Sequence, residues 1–174
     1  MDTDTDEPSQ GALQAAHDLA IDFACSAFQA AGRNYLQPVL LLLHVDGDEV
    51  KVAGQMPVGQ FDDPDDEYLM AIVRRALNQD DRLVPAAPST AARVDLVVHI
   101  CEGWGSVDTW RAELVKIHLH TLHGTYPVFH RMARAHDDSK MLGEAMLDGP
   151  YRLAEEVAVL MQAPVEARHR GMVH

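Results

Sequence analysis

Val39-Leu-Leu-Leu-Leu-His-Val-Asp-Gly-Asp-Glu-Val-Lys-Val-Ala53 is the stretch on which the fold turns. Its first half is aliphatic, too short for a helix, and ends at Asp46-Gly47. Its second half alternates polar and apolar residues. Asp-Gly readily takes the positive φ angles of a tight hairpin turn, so the stretch reads as two antiparallel strands. The first strand is apolar on nearly both faces and belongs in the interior of a sheet. Met56 to Phe61 would add a short third strand, confined to an edge by Pro57 and Gly59.

Toward the N-terminus, Leu13, Ala16, Ala20, Phe23 and Ala27 recur at helical spacing, which predicts a helix over 10–31 ended by Gly32. Residues 1–9 are acidic and aperiodic and read as a disordered tail. Toward the C-terminus, the acidic stretch 62–67 leads into a second helix near 66–79, with Leu69, Ile72, Val73, Ala76 and Leu77 on its apolar stripe. A proline-containing loop follows at 80–92. Val94 to Cys101 is a second interior strand, and Glu102-Gly-Trp-Gly-Ser106 reads as a Gly-rich loop. Glu113 to Leu122 alternates most cleanly of all and, turning at His123-Gly124, pairs with Tyr126–Met132, where Pro127 suggests an edge. Residues 140–147 and 151–161 read as helical and 163–174 as a frayed end. The expected fold is α+β, one domain over 10–162. It has a mostly antiparallel sheet of about five strands with helices packed on it, in the order α-ββ-α-β-ββ-α.

The chain has 174 residues, and 14 Lys+Arg against 27 Asp+Glu leave a formal charge of −13. That charge excludes a duplex nucleic-acid binder and an anionic membrane surface as partners. Two cysteines, Cys25 and Cys101, cannot build a disulfide framework and read as buried thiols of a cytoplasmic protein. The acidic N-terminus reads as neither a secretory nor a transit peptide. Phosphate-binding glycine loops, H-E-x-x-H, G-x-S-x-G and C-x-x-C are all missing.

The chemical lead is histidine. The chain has ten, and His118, His120, His123, His130 and His136 crowd one stretch. His118 and His120 alternate along a strand and so share a face, from which two imidazoles can converge on a divalent metal such as zinc. His123 or His130 would supply a third ligand; His44 and His99 lie on neighbouring strands, and Glu102 could add a carboxylate. Against this stands the plainer expectation that Lys116, His118 and His120 form the solvated face of an amphipathic strand and that no cofactor is bound. A second candidate is a ligand or partner loop holding Glu102, Trp104, Trp110, Arg111 and Glu113, in which Arg111 would pair with a glutamate or hold an anion.

The pattern Glu102-Gly-Trp104, then Arg111-Ala-Glu113, then a hairpin with Gly124 and Arg131, resembles one in small uncharacterised bacterial and phage α+β proteins. The resemblance spans 94–132 and implies a fold, with no activity attached. The leading functional expectation is a non-enzymatic binding or assembly protein acting as a homodimer, with a small-molecule or protein partner. The alternatives are a metal-binding protein or metal-dependent hydrolase using His118 and His120, and an acidic phage-related accessory or inhibitor protein.

Overall fold

The structure, a computed structural model, describes residues 7–30, 36–59, 66–77, 93–107, 110–134 and 140–146. Two helices, α1 (Gln10–Gln29) and α2 (Glu67–Leu77), accompany six strands: β1 (Val39–Asp46), β2 (Glu49–Pro57), β3 (Leu96–Val107), β4 (Trp110–His120), β5 (Thr125–Arg134) and β6 (Lys140–Met146). The strands form one sheet in the order β2-β1-β3-β4-β5-β6, antiparallel at every pairing.

The β1–β2 hairpin turns at Gly47, whose φ of 62° is the positive angle the Asp-Gly pair supplies. β1 and β3 lie inside the sheet, as two-faced apolar strands must. The two faces are covered by different helices. Leu13, Ala16, Ala20, Ala24 and Phe28 of α1 pack on Leu41, Leu43, Val98, Ile100, Ile117 and Leu119. Leu69, Val73, Ala76 and Leu77 of α2 pack on Leu40, Leu42 and Val97, with Ile72 only partly buried. Ser9 caps α1 by accepting a hydrogen bond from the Ala12 amide, and Tyr126 donates its hydroxyl hydrogen to the Glu7 carboxylate. No helix among the described residues is long and apolar enough to cross a membrane.

Four expectations change. The sheet has six strands, not five, because residues 140–146 form β6, not a helix; pairing with β5 outweighs the helix-forming Lys, Met, Leu, Glu and Ala side chains. The supposed Gly-rich loop at 102–106 continues β3, and its glycines make room rather than a turn. A Cβ at Gly103 would stand 2.8 Å from Lys116 Cε, and one at Gly105 would collide with Leu114. Met56 and Pro57 finish β2 instead of opening a third strand, and Gln60 and Phe61 lie outside the described residues. β5 is interior despite Pro127, which precedes the Phe129–Arg134 stretch that β6 pairs with. The helix ends at Gln29, and Gly32, the helix expected at 151–161 and the end at 163–174 lie outside the described residues.

Candidate functional site

Strand alternation sorts the candidate residues onto opposite faces of the sheet. Val115, Ile117 and Leu119 of β4 face α1; Lys116, His118 and His120 face the α2 side. Register then adds a residue that alternation alone does not select. His99 of β3 stands directly opposite His118, and Cys101 stands opposite Lys116. The imidazoles of His99, His118 and His120 therefore form a row. The ring centroids of His99 and His118 are 5.9 Å apart with planes at 22°, and those of His118 and His120 are 6.1 Å apart at 30°. Phe129 of β5 meets His118 edge-on.

The row is not solvated, which corrects the expectation of an open polar face. His99 is 1% exposed and His118 and His120 are 2% exposed. His120 Nδ1 lies 2.9 Å from Thr125 Oγ1. The remaining five ring nitrogens, both of His99, both of His118 and Nε2 of His120, are buried with no hydrogen-bond partner among the described residues. Burial holds their pKa values well below the usual histidine range, to about 4 for His99, about 3 for His118 and about 4 for His120. The neighbouring imidazoles and the Lys116 charge push His118 the same way. All three rings are neutral at pH 7. Burial also raises the Cys101 thiol to about 11, so it carries no thiolate.

His130 belongs to the other face. Its Nε2 lies 3.0 Å from His17 Nε2 of α1, and its Nδ1 lies 3.1 Å from the Gly143 carbonyl oxygen of β6. A carbonyl only accepts, so His130 Nδ1 carries the proton, its Nε2 accepts, and His17 donates from Nε2. This chain ties α1 to β5 and β6. Burial pushes His17 down to about 4 and lowers His130. His123 is exposed in the β4–β5 turn, where its amide donates to Thr121 Oγ1. His44 binds Asp95 at 2.8 Å, at the far end of the sheet. The four histidines proposed as metal ligands are thus split among the row, the turn and the opposite face. Among the described residues no three His, Cys, Asp or Glu side chains are placed to hold a metal ion.

The tryptophan-containing segment is also not a loop but the far end of the β3–β4 hairpin. Trp104, opposite Glu113, is 57% exposed and does not close the core. Trp110 and Arg111 open β4, and their side chains lie outside the described residues. Lys140 joins Glu102 and Glu113: its Nζ lies 2.9 Å from Glu102 Oε2 and 3.1 Å from Glu113 Oε1. Glu102 also accepts from the Leu36 amide at 2.7 Å. These contacts fasten β6 and the entry to β1 onto the α1 side of β3 and β4.

Sequence reading misses His17 and Lys140, because one sits in a helix and the other in a segment of helical composition. For His99 a signal exists: a histidine within Val-Val-His-Ile-Cys, a strand with no solvated face. Compared with known proteins, the chain matches no family model, no curated protein and no solved structure.

Proposed function

We propose that the protein is a non-enzymatic binding protein whose ligand seat is the imidazole row on the α2 side of β3 and β4. The observation that carries this reading is the set of five buried, unpartnered ring nitrogens on three adjacent residues. Each buried polar group left unpaired costs about 1–3 kcal/mol, and apolar side chains would fill the same positions at no such cost. Groups kept at that expense serve a ligand that completes their hydrogen bonds. The test is thermal denaturation of the whole chain with phosphate, citrate, zinc or nickel ions, compared between wild type and the His118→Phe and His120→Gln variants. A ligand at about a hundred times its Kd stabilises by about 2.7 kcal/mol. The reading expects at least one of the four to stabilise wild type and lose that effect in both variants. It fails if none does, or if the variants respond equally.

Assembly into a homodimer is a second, compatible reading. It rests on the two outer strands, β2 and β6, where Val52 is 53% and Met141 49% exposed. Unpaired strand edges with apolar side chains are ready partners for a second copy. Sedimentation at micromolar concentration decides it: a monomer throughout ends the dimer reading.

A further inference from the structure

We infer that the face of β3, β4 and β5 beyond α2 is the docking site of this chain's own C-terminal segment, residues 151–161, laid across it as a helix. This stands whether or not the imidazole row binds a ligand.

The contacts of the two helices leave part of the burial on this face unexplained. Cys101, Leu114 and Phe129 are 3%, 6% and 9% exposed, and His118 is 2% exposed. Strand alternation and register put all four on the α2 side of the sheet. Yet α2 packs on Leu40, Leu42, Val94 and Val97, and among the described residues its cluster holds nothing from β4 or β5. The α1 cluster takes Val115, Ile117, Leu119, Tyr126 and Val128 from those strands, and these face the other way. An apolar sheet face stays dry only beneath a second layer. A further part of the molecule therefore covers Cys101, Leu114, His118 and Phe129.

Register shows where that cover starts. Phe129 of β5, Lys116 of β4 and Cys101 of β3 stand in one line across the sheet, and Met146, the last residue of β6, stands opposite Phe129. The chain thus leaves the described residues at the margin of the area that needs covering. Asp148-Gly149-Pro150 supplies a turn. Leu153, Val157 and Leu160 then recur at the spacing of one helix face, with Ala154 and Met161 beside them and Arg152 and Glu155 opposite. A helix over 151–161 is about 16 Å long, enough to cross β5, β4 and β3 at about 4.8 Å per strand.

Shape and charge agree. Gly103 and Gly105 give β3 no side chains on this face, and Lys116 and Leu114 lean over them from β4, which flattens the surface where a helix must lie close. Lys116 and Arg131 belong to this face, whereas Glu102 and Glu113 belong to the other. An acidic residue such as Glu156, at the border of the apolar stripe, is favoured there. The segment 78–92 fits less well. It holds Pro85 and Pro88, has no helical stripe, and runs from the end of α2 to the approach to β3, away from β5.

The experiment uses the full chain and two readouts. In the first, diethyl pyrocarbonate and a maleimide label accessible histidines and cysteines, which are located by mass spectrometry. Wild type should leave Cys101 and His118 on the α2 side protected, and His17 and His130 on the α1 side as well. Val157→Asp and Leu160→Asp each set a carboxylate against an apolar surface. They should raise labelling of Cys101 and His118 about tenfold or more while His17 and His130 stay protected. Glu155→Gln should change nothing. The second readout leaves the apolar stripe nearly intact. In a Cys25→Ser background, Leu153→Cys, Val157→Cys and Leu160→Cys are made one at a time. A short thiol-to-thiol crosslinker should join at least one of them to Cys101 within one chain, and should not join Glu155→Cys. The inference is overturned if both aspartate variants leave Cys101 and His118 protected, or if no cysteine on the stripe reaches Cys101. Crosslinks that form only between two chains give the face to a second copy and overturn it equally. Should the aspartate variants expose both faces alike, the crosslinks decide.

Discussion

The two faces of the sheet bury their histidines by different rules. On the α1 side, His17 and His130 spend three of their four ring nitrogens: Nε2 meets Nε2 at 3.0 Å, and His130 Nδ1 reaches the Gly143 carbonyl. The fourth, His17 Nδ1, is buried with no hydrogen-bond partner among the described residues, 3.8 Å from Asp18 Oδ1. On the α2 side, His99, His118 and His120 leave five nitrogens unspent. The first arrangement is a fastener between elements, in which each proton has an assigned place. The second is a row in which, among the described residues, only His120 Nδ1 has a partner, Thr125 Oγ1. Burial alone therefore does not tell the two arrangements apart; the accounting of hydrogen bonds does.

That difference can be broken by measurement. The largest expected effect sets the scale for the dry part of the α1 face. Leu43→Ala, at a fully buried position between α1 and the sheet, should cost about 2–5 kcal/mol in denaturant unfolding. A loss under about 1 kcal/mol would show that the α1 face is not the main core.

Acid comes next. The folded pKa values of His17, His99 and His120 lie at about 4 and that of His118 at about 3, all below the ordinary 6.5. The unfolded chain then binds more protons between those values and 6.5, so stability is complete above about pH 6.5 and falls as the pH drops toward 4. The slope is about 1.4 kcal/mol per pH unit for each histidine that stays neutral, less whatever is regained as the acidic surface is neutralised. Both faces contribute. Replacing His99, His118 and His120 together with apolar residues should remove the larger share of the slope, and His17→Leu with His130→Leu the smaller. A stability flat from pH 7.5 to 5 in wild type would refute the burial of both groups.

The direct contrast is smaller. His17→Leu strands a buried acceptor on His130 and should cost about 1–3 kcal/mol. His118→Phe strands nothing, because both its nitrogens are already unpartnered, and in anion-free buffer it should cost under about 1 kcal/mol or stabilise. Equal costs for the two substitutions would erase the distinction between the faces.

Legibility followed the same division. The β1–β2 hairpin was readable because Asp46-Gly47 demands its turn, and β4 because its alternation is nearly strict. What alternation reports, however, is polarity and not exposure. Lys116, His118 and His120 look like a wet face, yet the sheet is covered on both sides and the polar row is shut in. His130 alternates correctly but in phase with Val115, its register partner, which puts it on the opposite face from His118. Sequence spacing within each strand cannot reveal that phase; the turn between the strands sets it. β6 was invisible because Lys140–Met146 is built from helix formers and becomes a strand only against β5. With it went Lys140, which pairs with both Glu102 and Glu113.

The strand order carries a consequence for how the chain reaches this state. Every strand pair but one joins neighbours in sequence; only β1 and β3 meet across a long intervening segment. β3 to β6 form a meander whose contacts close over short loops, whereas the β1–β3 seam requires the ends of a far longer loop to meet before any contact rewards it. The meander is therefore the natural nucleus, and the β1–β2 hairpin docks onto a surface already made. In folding kinetics Ile117→Val in β4 should slow folding, while Leu41→Ala in the seam should chiefly speed unfolding.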